Sequence, residues 1–199
     1  MTGSKFQITL LLLLAILMAT TYISLHIGTI SVPWSAVLVG FDAGKLGITQ
    51  ESAETFKTVV KQIRLPRILT AILCGAALAT SGAAYQSMFM NPLVSPALLG
   101  VLAGAAFGAS LGMLLSNNIL IAQLLAFAFG IAAVGMSVLL ARFFPGNRLI
   151  MLIMGGVISS SLFTSLLSVI KFIADTQNQL PAIVYWLMGG FSAVSNTAA

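Results

Sequence analysis

The chain has 199 residues, 59% hydrophobic and only 7% charged, with a mean hydropathy of +1.07, whereas a soluble domain carries about 25% charged residues. Nine Lys plus Arg and four Asp plus Glu cannot coat a 20.8 kDa body with polar side chains, which excludes a water-soluble globule and indicates a surface facing lipid. The formal charge is +5, but the basic residues are scattered, with no arginine-rich helix or aromatic-basic stripe, so no nucleic-acid partner is expected.

A helix rises 1.5 Å per residue, so about 20 apolar residues cross a hydrocarbon layer of about 30 Å. Six stretches are candidates, which predicts an all-α polytopic membrane protein of about six transmembrane helices. The first, residues 8–27, follows Lys5. Lys5 followed by Leu10 to Leu14 also has the order of a secretory leader, although no A-x-A site follows. Residues 28–67 then form the one long polar segment, with Asp42, Lys45, Glu51, Glu54, Lys57, Lys61, Arg64 and Arg67. Pro33 and Trp34 near its start and a charged, helix-compatible stretch over 49–62 predict a structured loop at the membrane surface.

The second span covers residues 68–90, the third 96–115, the fourth 119–141 and the fifth 149–173; the sixth starts near Pro181 and is still apolar at Ala199. The connections at 91–93, 116–118, 142–148 and 175–181 are short, so successive helices are expected to be antiparallel neighbours. Orientation is less direct. With a cytoplasmic N-terminus the inner positions hold Lys5, Arg142 and Arg148, and the outer ones Lys45, Lys57, Lys61, Arg64, Arg67 and Lys171. That count favours the opposite topology under the positive-inside rule.

Within the third span Gly100, Gly104, Gly108 and Gly112 recur every four residues, and Ala71, Gly75, Ala79 and Ala83 do so in the second. Residues four apart stack on one helix face, so these stripes admit a close backbone, either as ordinary bundle packing or as a mobile or pore-lining surface. Ser159, Ser160, Ser161, Thr164, Ser165 and Ser168 make the fifth span rich in hydroxyls. Such hydroxyls bond back to the i−4 carbonyl in lipid, or else line a wet pathway.

No Asp, Glu, Lys or Arg falls inside an apolar core, which argues against proton-coupled carriers and intramembrane aspartyl proteases, both of which need titratable groups at that depth. His26 is the single histidine and sits at the edge of the first span, an interfacial position. Cys74 is the single cysteine, inside an apolar run, so neither a disulfide nor a Cys/His metal cluster is expected. With no H-E-x-x-H, no G-x-S-x-G and no G-x-x-x-x-G-K-[ST] motif, no catalytic residue, metal or cofactor is assigned, and any uphill transport must draw its energy from another subunit.

Residues 64–104 carry a specific pattern. Arg64-Leu65-Pro66-Arg67, then Gly75-Ala76-Ala77-Leu78-Ala79 with Ser81-Gly82 and Gln86, then Asn91-Pro92-Leu93 with Pro96 and Leu98-Leu99-Gly100-Val101, stand in order. Together with Tyr185-Trp186-Leu187-Met188-Gly189-Gly190-Phe191, this resembles the FecCD-type permease family of ABC importers for ferric siderophores, haem and cobalamin. The resemblance covers nearly everything from Lys61 onward. It implies a multi-pass protein of the bacterial inner membrane that makes and breaks no covalent bond itself. Its implied partners are cytoplasmic ABC ATPase subunits, a periplasmic solute-binding protein and a second permease copy in a homodimer.

The resemblance also assigns roles. Arg64 and Arg67 would face the periplasm and pair with carboxylates of the binding protein; from the residues alone, interfacial anchoring serves as well. A guanidinium suits the docking role because it offers a planar fork that never deprotonates. Asn91 and Leu93 would close the cytoplasmic end of the pathway, with Gly146 and Asn147 near a second cytoplasmic gate. Ser159, Ser160 and Thr164 would line the path. Family members run to about ten helices, so the resemblance implies that this 199-residue chain is the N-terminal part of that fold, lying before the helices that touch the ATPase. The alternative is a truncated, transport-incompetent fragment with a structural role or none.

Overall fold

The computed structural model describes residues 3–38, 41–92, 94–116, 118–192 and 194, which are helices and connections with no strand among them. The chain divides into two units, one of residues 1–76 and 191–199, the other of residues 77–190.

In the first unit, α1 (Gly3–His26) runs for 24 residues, about 36 Å at 1.5 Å per residue. Its side chains from Ser4 to Thr20 are all exposed, as expected of a helix whose solvent is lipid. Three helices follow within the polar segment: α2 (Trp34–Leu38), α3 (Ala43–Leu46) and α4 (Gln50–Thr58). Local side chains fix their ends. The Asp42 carboxylate accepts from the Gly44 amide at 3.0 Å, and Gly47 closes α3 at φ 64°, a conformation that favours glycine. Thr49 Oγ1 accepts from the Ser52 amide to start α4, with Glu51 in the first turn, where the helix dipole favours a negative charge.

Helix α4 continues into a π-helical stretch, Val59–Arg64, and then into α5 (Leu65–Phe89). Val60 turns inward to meet Val32 and Ala36 in a small core, with Leu25, Val37, Phe41, Leu46 and Phe56 around it. The opposite face of α4, with Glu51, Glu54 and Lys57, is exposed.

In the second unit a 3-10 turn (Pro96–Leu99) leads to α6 (Val101–Leu115), α7 (Ile119–Phe143), α8 (Arg148–Ile173) and α9 (Gln179–Met188). Helices α6 and α7 touch through backbone. A methyl group at Gly104 would meet the Phe129 carbonyl oxygen, one at Gly108 the Leu125 carbonyl oxygen, and one at Gly112 would lie 2.5 Å from Ala122 Cα. Phe107, Phe129 and Phe163 form an aromatic cluster beside this seam, with centroid separations of 4.9, 5.7 and 6.2 Å. At one end Ile170, Ala174 and Ile183 make a second core that seats α9 against Phe107, Leu111 and Leu114. The stripe in α5 differs: the helix has no buried residue, and nothing lies within 4 Å of a methyl at Gly75.

Among the described residues four helical stretches are long and apolar enough to cross a membrane: Ser4–His26, Gln50–Phe89, Ile119–Phe143 and Leu149–Ile173. The third and sixth apolar stretches are shorter as helices than as hydropathy runs. Gly100 stands at φ 82° between the 3-10 turn and α6, leaving 15 helical residues, about 22 Å. The sixth ends after 10 residues at Gly189, because Gly189 and Gly190 take φ 72° and 147° and turn the chain out of the helix.

Candidate functional site

The site residues singled out by sequence fall in both units, the two arginines in the first and the rest in the second. In the first unit both arginines turn to backbone carbonyls. Arg64 Nη1 donates to the Leu25 carbonyl at 2.5 Å and Nη2 to the Ile30 carbonyl. Its head lies so close to Gly28 that a methyl there would come within 2.6 Å of Nη2. Arg67 donates from Nε to Val194 O at 3.2 Å and from Nη2 to Ser192 O at 2.6 Å. Arg64 and Arg67 are both half-buried. They line a groove of about 430 Å³ with Ser24, Ile27, Thr29 and Ile63. A guanidinium fork pairs well with two carbonyls from one segment, which is how each arginine is used here. Lys57 and Lys61 stand exposed on the neighbouring face, along a shallow groove with Glu54, Thr58 and Gln62.

The second unit brings the ends of three helices around one groove of about 710 Å³, lined by Met88 and Phe89 from α5, Val138, Ala141 and Arg142 from α7, and Leu149 and Leu152 from α8. The Asn91 turn follows directly on the first pair and the Gly146-Asn147 turn joins the other two sets. Asn91 is half-buried; its amide donates to Gln86 O at 3.1 Å and its carbonyl accepts from Val94 N at 3.3 Å. Met90 just before it takes φ 50°, an uncommon conformation for a residue with a side chain. Leu93 lies outside the described residues. Gly146 is exposed at φ 155°. Asn147 caps α8, its Oδ1 accepting from Leu149 N at 3.0 Å and Ile150 N at 3.4 Å.

The hydroxyls of α8 divide by face. Ser159 is fully buried and donates to Ala133 O at 2.9 Å, and the Ser160 hydroxyl lies beside Gly100. Thr164 is exposed, as are Ser161, Ser165 and Ser168, each bonded back to the carbonyl four residues earlier. Gly104, Gly108 and Gly112 lie buried on α7, whereas Gly100 packs against α8.

Sequence reasoning passed over Ser137 and Gly156, and the surroundings of His26. Ser137 is fully buried and its one hydroxyl proton is shared between Leu99 O and Ala133 O, both at 2.9 Å; a lone serine in an apolar helix was the available signal. Gly156 receives the Leu98 carbonyl where a side chain would start. His26, at the end of the first span, is 3% exposed, stacked on Trp34 at 4.2 Å and edge-on to Tyr22 at 4.7 Å. Its Nδ1–H donates to Val32 O at 3.2 Å, and Nε2 has no partner among the described residues.

At the other end of α8, the Asp175 carboxylate is held below the usual carboxylate range by the Gln177 amide, with Asn178 adding to it. Among the described residues no group of three His, Cys, Asp or Glu stands together to hold a metal ion.

Comparison with known proteins places this arrangement. The FecCD transport family model matches residues 14–199. The chain is 42% identical over 196 residues to the molybdate import system permease protein MolB of Haemophilus influenzae, covering 96% of this chain and 54% of the relative. It is 38% identical to a probable iron chelatin transport system permease protein of Helicobacter pylori, over 73% of this chain and 43% of that one. It is 34% identical to the vitamin B12 import system permease protein BtuC of Yersinia enterocolitica, over 80% and 48%. The chain thus spans about half the length of the curated relatives it matches. A solved structure, described as an inward-facing conformation of a metal-chelate type ABC transporter, superposes with a TM-score of 0.74 at 36% identity, covering 96% of this chain and 54% of that one. The bacterial relatives and the long apolar helices make this a multi-pass inner-membrane protein. A family match over residues 14–199, relatives above 30% identity and a shared fold lead to one assignment: the chain belongs to the FecCD transport family.

Proposed function

We propose that the chain forms part of the permease subunit of an ATP-driven importer, moving a metal chelate of the ferric siderophore, haem or cobalamin class across the inner membrane. The observation that carries this reading is the groove of the second unit, where the ends of α5 and α7 and the start of α8 open on one apolar space between two turns. In this reading Asn91, Leu93, Gly146 and Asn147 close the inner mouth. Of the α8 hydroxyls Thr164, which is exposed, and Ser160, which is half-buried, follow the path in this reading, whereas Ser159 is fully buried against α7; a second permease copy completes the path. The chain has no phosphate-binding loop, so hydrolysis falls to separate cytoplasmic ATPase subunits. The 42% identical relative is named for molybdate, which makes a small oxyanion the second candidate for the cargo.

Docking of a periplasmic solute-binding protein falls to Arg64 and Arg67. Their guanidinium groups rest on neutral carbonyls, and a carboxylate is the stronger acceptor, since charge-assisted hydrogen bonds are roughly twice as strong as neutral ones. Two measurements test the proposal. Proteoliposomes holding the whole permease and its ATPase, offered labelled ferric siderophore, cobalamin and molybdate, are expected to accumulate one of them with ATP. Charge reversal, Arg64→Glu with Arg67→Glu, is expected to weaken docking of the binding protein while membrane insertion persists. Unchanged docking overturns the arginine role, and an inserted complex that accumulates none of the three favours the transport-incompetent reading.

A further inference from the structure

The connection between α5 and α6 is irregular, yet it is held firmly where it crosses α7 and α8. Its 3-10 turn presents the carbonyls of Leu98 and Leu99 to those two helices. The Ser137 hydroxyl on α7 shares its one proton between Leu99 O and Ala133 O of its own helix, both at 2.9 Å. The Leu98 carbonyl sits against Gly156 of α8, in the space that any side chain would fill. Gly100, at φ 82°, rests on the Ser159 and Ser160 hydroxyls, which a methyl there would meet at 3.2 and 3.1 Å. The two holding helices are themselves joined: Ser159 Oγ donates across to Ala133 O at 2.9 Å, and Gly155 admits the Ser137 carbonyl, 2.5 Å from where its Cβ would stand. Ser137 and Ser159 are fully buried. In such surroundings a hydroxyl bonded to a carbonyl of another segment is a strong geometric tie, because water cannot replace either partner.

We propose that Ser137 is the positioning residue of the inner gate: through Leu99 it fastens the connection bearing Asn91 to α7 and α8, so that the Asn91 turn moves with those two helices. The inference rests on the gate role given to Asn91 above. Its physical content is that the connection has two grips, one hydroxyl and one glycine-cleared carbonyl, on a helix pair that acts as one body. The hinge then falls at the end of α5. Met90 there takes φ 50°, a backbone conformation uncommon for a residue with a side chain. Ser137 is fully buried and acts through the backbone it holds.

The test uses the whole permease with its ATPase in nanodiscs, with Cys74→Ser removing the native thiol and Asn91→Cys as reporter. Modification by a membrane-impermeant maleimide is measured with and without ATP. In this parent the rate is expected to differ between the two states. Ser137→Ala is expected to raise the protected-state rate about tenfold, the range for loss of one buried hydrogen bond, and Ser137→Thr, which keeps the hydroxyl, to restore protection. A merely structural role would lower the unfolding temperature and leave the ratio of the two rates alone. Should Ser137→Ala fail to fold, Ser137→Cys keeps the volume with a weaker donor and is expected to fall between alanine and parent. A parental ratio in Ser137→Ala, or in Ser137→Cys where that is the variant measured, overturns the inference and leaves the gate intact. A parent with no nucleotide-dependent labelling overturns the gate and the inference together.

Discussion

Asp175 shows how much a single exposed side chain decides at a helix junction. Its Oδ1 accepts from Gln177 N at 3.2 Å and its Oδ2 from Asn178 N at 3.1 Å and Asn178 Nδ2 at 2.9 Å, so the turn from α8 into α9 is organised around an ionised carboxylate. Those donors lower its pKa from the ordinary 3.8. A group whose pKa is depressed on folding stabilises the fold fully above its unfolded value, and that contribution disappears as pH falls through the folded value. The turn is therefore expected to loosen only in acid, below 3.8, and Asp175→Asn to remove that pH dependence. Amide exchange at residues 177–180 across an acid series measures both; an identical acid profile in the variant would refute the assignment. Residues of this kind are half legible. The arginines of Arg64-Leu65-Pro66-Arg67 stand out in the sequence, but their partners do not. Arg64 bonds carbonyls 39 and 34 residues upstream and Arg67 carbonyls 127 and 125 residues downstream. Every residue except the chain end offers such a carbonyl, so no side-chain pattern marks the ones chosen.

At the scale of helices, apolar length and glycine spacing carried most of the information. The runs that became α1, α5, α7 and α8 are visible as hydropathy. The four-residue recurrence of Gly104, Gly108 and Gly112 marks a seam, though only the structure says that it faces Leu125, Phe129 and Ala122. What hydropathy missed are helix ends set by backbone conformation within apolar runs, at Gly100 and Gly189, where polarity does not change. Glycine alone does not mark a seam. Gly135 lies in α7 with nothing within 4 Å of a methyl, whereas at Gly108 the methyl would overlap the Leu125 carbonyl. Gly108→Ala is expected to destabilise by about 1–3 kcal/mol, the usual cost of overpacking. Gly135→Ala is expected to be neutral or to stabilise by up to about 1 kcal/mol through helix propensity. Unfolding of both variants in the same detergent measures the contrast, and equal effects would show that the α6–α7 seam is not built on backbone contact.

For the whole molecule, the unresolved sequence question was orientation, since six basic residues would lie outside and three inside with a cytoplasmic N-terminus. The structure changes the weight of that count. The positive-inside rule counts Lys and Arg in short loops near the span ends, and we give most weight to those that are not tied to protein carbonyls. Arg64 and Arg67 are half-buried and bonded to protein carbonyls, and Lys171 is half-buried within α8. Taking those three out leaves Lys45, Lys57 and Lys61 against Lys5, Arg142 and Arg148, so the charge bias no longer opposes a periplasmic placement of α4. A docking face for a periplasmic protein requires that placement. Lys57 is exposed on α4 and outside the small core around Val32, Ala36 and Val60, which makes it a clean reporter. In intact cells carrying Cys74→Ser with Lys57→Cys, a membrane-impermeant thiol reagent added outside the inner membrane is expected to label the chain without lysis. Labelling that appears only after the inner membrane is opened would place α4 in the cytoplasm and remove the docking role from Arg64 and Arg67 at once.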